Sequence, residues 1–420
     1  MNHEILKTVI FDQHEVIRNA EITPRAYRFE ENANLVLTGL RRAGKSTLLY
    51  RRARDLTETG VAWERIIFIN FEDERLAEFR AQDFNDIVSV QSELSAERGF
   101  YFFDEIQNVP GWEKFARRLA DAGERVCVTG SNAKMLGREI AGALGGRFFA
   151  EEVHPYSFGE YLTALGIGHD ARALSATRTN GLVRGAFLQY LREGGFPESL
   201  RYQAKRSYVE GIYQKVLLGD IVARNRIRNP QALRILLKKV AESVCSDISY
   251  SRLHQLLKTI GLTLGKDALI EYLAHAENAY LIFRVSNHFA KFAERESAPK
   301  RYFGDNGLLN LFLVDKAAAL LENLVAIDLR RRHGEEVRYL KSARTGIDVD
   351  FYLPEEKTAV QVAWTLAGEA GQRERAGLVK LAGLLPETER LIIVTLEEEE
   401  TIRQGDVQIE VIPAYKFLLR

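Results

Sequence analysis

Asn34-Leu35-Val36-Leu37-Thr38-Gly39-Leu40-Arg41-Arg42-Ala43-Gly44-Lys45-Ser46-Thr47 is the stretch on which the reading of this chain turns. Its first five residues form a short apolar run, which predicts a buried strand. Residues 46–56 then carry helical patterning, so a glycine-rich turn joins a strand to a helix. From Gly39 to Ser46 the stretch matches G-x-x-x-x-G-K-[ST] at every fixed position. The spacing has a chemical reason. The glycines let backbone N–H groups turn inward around phosphates, and the helix N-terminus adds positive potential there. Lys45 is placed to reach the β and γ phosphates, and Ser46 to ligate Mg²⁺. The expected ligand is ATP with Mg²⁺, touched by Gly39, Leu40, Arg41, Arg42, Ala43, Gly44, Lys45, Ser46 and Thr47. The competing reading, an ordinary turn with an exposed lysine, leaves the strand before it and the helix after it unexplained.

Outward from this loop, apolar runs recur at residues 66–71, 101–103, 126–128 and 148–153. Helical patterns lie between them, for example over residues 112–122. Short apolar strands alternating with helices predict a parallel sheet covered on both faces. The third strand ends in Asp104-Glu105. An acid at that place holds Mg²⁺ through water, and the next carboxylate polarises the attacking water. Asp104 is thus the metal candidate and Glu105 the catalytic one. A merely solvated acid pair is the alternative, weakened by the phosphate loop upstream. The fourth strand ends in Thr129-Gly130-Ser131-Asn132. Asn132 is expected to touch the γ-phosphate or its water, although the same residues are common turn chemistry.

The chain has 420 residues, enough for two to three domains. Its 46% hydrophobic and 28% charged residues exclude disordered and fibrous classes. Lys+Arg and Asp+Glu both number 58, which excludes an overall basic coat for nucleic acid but not a local patch. Two cysteines, Cys127 and Cys245, exclude a disulfide framework and read as buried reduced thiols. The eight histidines show no zinc-ligand spacing, and no serine nucleophile motif is present. No apolar run is long enough to span a membrane. Met1-Asn2-His3-Glu4 does not open a signal peptide. A cytoplasmic protein without membrane partners is the expectation.

The rhythm changes at His154-Pro155. Helices dominate to about residue 300, among them 157–166 and 185–193, the latter stopped by Gly194-Gly195-Phe196-Pro197. Strands return at 337–340, 349–352, 359–362 and 391–394, and acidic residues 397–400 read as a solvated loop or helix start. The predicted domains are residues 1–153, 154–299 and 300–420. Residues 201–240 carry ten Lys/Arg against two acids, Glu210 and Asp220. After them come a capped helix at 249–257, a turn at Gly261, a helix at 266–276 and a strand at 280–285. That order is that of a winged helix. DNA contact through residues 201–285 is the sharper reading; a solvated face or a subunit contact is the plainer one.

The residues Gly39–Ser46, Asp104-Glu105 and Thr129–Asn132 resemble an AAA+-type P-loop ATPase. More closely, the chain resembles a prokaryotic group in which that ATPase is fused to a C-terminal domain of unknown function. Shared pieces include Asn70-Phe71-Glu72-Asp73-Glu74-Arg75-Leu76, Phe103-Asp104-Glu105-Ile106-Gln107 and Gly145-Gly146-Arg147. Gly194-Gly195-Phe196-Pro197, Asp305-Asn306-Gly307-Leu308, Glu322-Asn323-Leu324-Val325 and Val349-Asp350-Phe351 are shared too, with no chemistry attached. The resemblance implies ATP hydrolysis by a homo-oligomer, a ring or partial ring, with an arginine lent across the subunit interface. Arg147 is the first candidate for that arginine and Arg138 the second; a plain surface arginine is the alternative for each. It also likens the winged-helix segment to a lid.

The last hundred residues resemble the PD-(D/E)xK nuclease arrangement, with Glu322 on a helix, Asp350 on a strand and a further strand at 360–363. That chemistry needs two carboxylates for Mg²⁺ and a lysine for the water. Here Gln361 stands where the second acid belongs and Ala363 where the lysine belongs. An amide binds a hard cation poorly, and alanine does no acid–base work. Asp348 partly replaces the lost acid, while nothing in the surrounding sequence replaces the lysine. DNA cleavage is therefore not expected. The sequence reading is an α/β chain: a P-loop NTPase parallel sheet, a helical and winged-helix segment, then an α/β restriction-endonuclease-like domain. Its function is read as a Mg-dependent ATPase acting as an oligomeric switch or motor on DNA. The alternatives are a slow ATP-gated module that binds a protein partner through the C-terminal domain, and an ATP-dependent nuclease.

Overall fold

The structure is a computed structural model that describes residues 1–30, 32–133, 142, 144–262, 264–314 and 316–420. The chain divides into two units. The first holds Met1–His154 and Asn278–Tyr280; the second holds Pro155–Glu277 and Leu281–Arg420.

The first unit is built on a five-stranded sheet of β1 (Asn34–Thr38), β2 (Ile66–Asn70), β3 (Phe100–Asp104), β4 (Arg125–Gly130) and β5 (Phe148–Glu152). The spatial order is β2-β3-β4-β1-β5, and every pairing is parallel. β1 and most of β2, β3 and β4 are buried on both faces, as their unbroken apolar runs require. Helices α1 (His3–Asn19), α2 (Lys45–Glu58), α3 (Phe84–Leu94) and α4 (Trp112–Asp121) belong to the same unit. α4 shows why such segments are helical. Trp112, Phe115, Ala116 and Leu119 repeat at helical spacing and are all buried. Phe115 stacks on Phe84 of α3 with ring centroids 4.4 Å apart. A large apolar side chain such as Phe115 or Leu119 contributes roughly 1.5–3 kcal/mol by leaving water.

The second unit begins with helices, including Phe158–Ala164, Thr177–Glu193, Lys205–Lys215, Pro230–Glu242, Tyr250–Thr259 and Lys266–Asn278. Ser157 and Glu160 form a capping box at the first of these, and Ser249 caps Tyr250–Thr259. An eight-stranded sheet follows: β6 (Ile282–Asn287), β7 (Lys300–Phe303), β8 (Arg338–Ser342), β9 (Ile347–Leu353), β10 (Thr358–Val362), β11 (Arg390–Thr395), β12 (Glu400–Gln404) and β13 (Val407–Pro413). Its order is β12-β13-β11-β10-β9-β8-β6-β7. The strand expected as a wing, β6, pairs with β7 on one side and β8 on the other, so it is an inner strand of this sheet. The line drawn between residues 299 and 300 runs between two paired strands. Residues 397–400 do not start a helix: Glu400 opens β12, and Glu398 accepts hydrogen bonds from Thr365 and the Leu366 N–H.

Three motifs that carried no chemistry in the sequence meet in this unit. Gly194 ends helix Thr177–Glu193 with φ +79°. The Asp305 carboxylate accepts the N–H of Gly195 and of Gly307, each at 2.7 Å. Asn306 donates to the carbonyls of Leu191 and Leu320, each at 2.8 Å. Asn323 donates to Asn306 at 2.8 Å and accepts the Phe303 N–H at 2.8 Å. A Cβ on Gly194 would stand 2.1 Å from Asp305 Oδ1, so glycine is required there. Burial pushes the Asp305 carboxyl up to about 6 against the pull of its backbone N–H donors.

Candidate active site

The site lies at the carboxyl ends of β1, β4 and β3, which are neighbours in that order. The turn after β1 runs from Gly39, with φ +140°, through Arg42, at φ +65°, to Gly44, at φ +98°. A Cβ on Gly39 would stand 2.1 Å from the Val153 carbonyl oxygen. Gly44 occupies the N-cap of α2 and has no side chain with which to cap it. Lys45 is buried, and its ammonium donates to the carbonyls of Gly39 at 3.0 Å and Leu40 at 3.1 Å. The turn is braced from outside. Arg25 donates to the Ala43 carbonyl at 2.9 Å, and Arg41 pairs with Glu72 at 2.9 Å.

Asp104 closes β3 and Glu105 follows it, both buried. Ser46, in the first turn of α2, favours the charged form of Asp104. Thr129, near the end of β4, donates its hydroxyl to Asp104 and accepts the Glu105 N–H at 3.0 Å. Glu105 has φ +51°, a left-handed conformation uncommon for a residue with a side chain. Gln107 donates to Glu105 Oε2 at 2.5 Å. Burial, and then the Glu105 charge, push the Asp104 carboxyl up to about 6, against the pull of Ser46, Thr129 and Lys45. Ser131 is buried and Asn132 half-buried, just beyond the end of β4.

The structure therefore brings Lys45, Ser46, Asp104 and Glu105 to one end of one sheet. Arg147 is elsewhere in the same chain. It precedes β5, whose Phe148 is in register with Asn34 at the start of β1. Its carbonyl accepts from Asn34 Nδ2 at 3.2 Å, and its guanidinium is 2.8 Å from Asp121. β1 separates it from the phosphate loop by about 17 Å of strand. Arg138 lies outside the described residues. Sequence reasoning gave no role to Thr129, Gln107 or Arg25. Thr129 and Gln107 stand within the motifs that were singled out, but that Thr129 sits between Asp104 and the Glu105 backbone follows only from the strand order.

Among the described residues, no group of three or more His, Cys, Asp and Glu is placed to hold a metal, and no helix is long and apolar enough to cross a membrane.

A family described as an AAA domain matches residues 31–162, and a domain of unknown function (DUF8612) matches residues 184–318. The chain is 30% identical over 439 residues to the uncharacterized protein MJ1544 of Methanocaldococcus jannaschii, covering 99% of this chain and 95% of that one. It is 30% identical over 339 residues to an uncharacterized protein of Haemophilus influenzae, covering 79% and 82%. Among solved structures it is similar to the Walker-type ATPase PABY2304 of Pyrococcus abyssi, with TM-score 0.41, 16% identity, and 71% of this chain and 100% of that one covered. It is similar also to Cdc6p of Pyrobaculum aerophilum, with TM-score 0.26, 14% identity, and 77% and 93% covered. With its parallel five-stranded P-loop sheet followed by a helical and mixed-sheet α/β region, the chain belongs to the family of MJ1544, and it carries an AAA domain ahead of a domain of unknown function.

Proposed function

We propose that this protein is a Mg-dependent ATPase of AAA+ type that works as a homo-oligomeric nucleotide switch or motor. One observation carries the reading: the Thr129 hydroxyl donates to Asp104 and accepts the Glu105 N–H. The candidate metal ligand Asp104 and the candidate catalytic carboxylate are thereby held as one unit. The uncapped first turn of α2 suits phosphate oxygens, which accept from its N–H groups. Lys45 exchanges its two carbonyl contacts for β and γ phosphate oxygens, a stronger charge-assisted pairing. Ser46 and Asp104 would hold Mg²⁺, which supplies neutralisation of the charge on the transferred phosphoryl group. Glu105, steadied by Gln107, orients and polarises the attacking water. Asn132 touches the γ-phosphate or that water. Arg147 stands too far from its own loop to serve it, so it serves the loop of a neighbouring copy.

DNA is the client this reading favours, through residues 201–285, where Arg226 and Arg228 are exposed. The rival is a slow ATP-gated module that binds a protein partner through its C-terminal region. Turnover stimulated by DNA separates the two.

Two variants test the site. Lys45→Ala abolishes or severely weakens ATP binding. Glu105→Gln retains binding and lowers turnover by about 100-fold or more, since the carboxylate is lost while the metal ligands stay. Wild-type turnover in Glu105→Gln overturns the role of Glu105, and wild-type affinity in Lys45→Ala overturns the site.

A further inference from the structure

The eight-stranded sheet and helix Ala317–His333 bury a charge cluster that the ATPase chemistry does not use. Lys300 opens β7 and is 2% exposed. Its ammonium donates to Asp350 Oδ1 of β9 at 3.0 Å and to Glu322 Oε1 of that helix at 3.4 Å. The remaining contacts are also fixed. Tyr302 donates to Glu322 Oε1 at 2.7 Å. Asp350 Oδ2 accepts the Val362 N–H at 3.0 Å, and the Asp350 N–H donates to Gln361 at 3.3 Å. The ammonium also lies 5.5 Å from the centroid of the Tyr339 ring.

Glu322, Asp350 and Gln361 occupy the places that a nuclease-like arrangement gives to its Mg²⁺ ligands. The residues present do not fit that ion. Mg²⁺ demands near-octahedral oxygen ligation at about 2.0–2.1 Å. Here one ligand is a neutral amide already bonded to backbone, and a cation already stands between the two acids. Adding a divalent charge a few ångströms from a buried ammonium is strongly unfavourable. Burial works against the charge on Lys300, yet Asp350 and Glu322 outweigh it and hold the amine protonated well above its ordinary range.

We infer that Lys300 is a built-in cation: its ammonium fills the place between Glu322 and Asp350 that a divalent ion would otherwise take. The C-terminal unit is then indifferent to divalent metals, and its carboxylates hold helix, β7 and β9 together through a tethered charge. Taking the ammonium away opens a carboxylate site to metal.

The test is thermal unfolding of the full chain with and without Mn²⁺ and without nucleotide. Every arm carries Asp104→Asn, so that the phosphate-loop carboxylate contributes nothing. With Lys300 intact, Mn²⁺ leaves Tm unchanged. With Lys300→Ala, Mn²⁺ at about 100 times its Kd raises Tm by about 5 °C. Adding Asp350→Asn to Lys300→Ala abolishes that rise. A Mn²⁺ shift with Lys300 intact that Asp350→Asn removes would overturn the inference, because metal and lysine would then coexist. So would a folded Lys300→Ala protein blind to Mn²⁺. If Lys300→Ala does not fold alone, its refolding yield is read instead. Recovery only with Mn²⁺ supports the inference, and no recovery with either Mn²⁺ or Mg²⁺ overturns it.

Discussion

The Thr129 hydroxyl donates its hydrogen bond to the carboxylate of Asp104. The same oxygen accepts the Glu105 N–H at 3.0 Å, so one hydroxyl on the neighbouring strand sets both Asp104 and Glu105. Thr129→Val keeps the branched shape and the strand preference and removes only that hydroxyl. It should lower stability by about 1–3 kcal/mol through the two partners left unsatisfied. ATP turnover should fall about 10- to 100-fold, because the carboxylates lose their placement. Thr129→Ser should retain most of both. Thermal unfolding and steady-state turnover check the series.

The Asp104 carboxyl gives a pH dependence with a definite sign. Its native value lies near 6, above its ordinary 3.8, because of burial first and Glu105 second. The native state thus binds this proton more tightly than the unfolded chain. The cost of the charge is absent below about pH 4, grows as pH rises and is complete above about pH 6. Nucleotide-free Asp104→Asn should be the more stable protein at about pH 7.5, by about 1–3 kcal/mol. Its advantage should shrink as pH falls toward about 4. Mg-ATP affinity of the parent should rise between about pH 5 and 7 as the carboxylate ionises. Denaturant titrations and nucleotide binding across that range measure both.

The clasp of Gly194, Asp305, Asn306 and Asn323 is a stability element. Gly194→Ala meets a positive φ and a carboxylate oxygen 2.1 Å from the new methyl. It should cost about 2–5 kcal/mol. Asn306→Ala leaves the carbonyls of Leu191 and Leu320 without their donor and should cost about 2–4 kcal/mol. Neither change touches the phosphate loop, so nucleotide affinity of the folded fraction should not move.

The basic segment does not act as one block. Arg224 pairs with Asp220, which is buried, whereas Arg226 and Arg228 are exposed. Arg224→Ala should destabilise by about 1–3 kcal/mol, because a buried acid loses its cation. If the segment contacts DNA phosphates, Arg226→Ala with Arg228→Ala should flatten the slope of log K against log salt by about 1.8. An unchanged slope, with altered assembly, would assign the segment to a subunit contact.

Arg147 should matter only between copies. Arg147→Ala should lower turnover without loss of nucleotide binding, and turnover per chain should rise with protein concentration. Mixing Arg147→Ala with Lys45→Ala chains should restore part of the activity, since each variant supplies what the other lacks. Full turnover by an isolated monomer would exclude this role.

The strand-turn-helix of residues 34–47 and the acid pair at the end of β3 were legible as local structure because their signals are local. A strand, a turn and a helix start lie within fourteen residues, 34–47. The alternation of apolar runs and helices likewise specified a parallel sheet, because burial on both faces demands unbroken apolar strands. The tertiary structure decided which strand ends became neighbours. Thr129 acquired its place only because β4 lies between β1 and β3. β7 escaped notice because it opens with two basic residues, Lys300 and Arg301, which the fold buries at 2% and 1% exposure. Their burial is sustained by partners far along the chain: Glu322 and Asp350 for Lys300, and the Ile248 carbonyl and Tyr250 ring for Arg301. Asp305 likewise reaches Gly195 across 110 residues. Short-range geometry follows from backbone sterics and side-chain type at each position. Long-range pairing follows from how whole sheets bury their faces, a collective energy that no local spacing encodes.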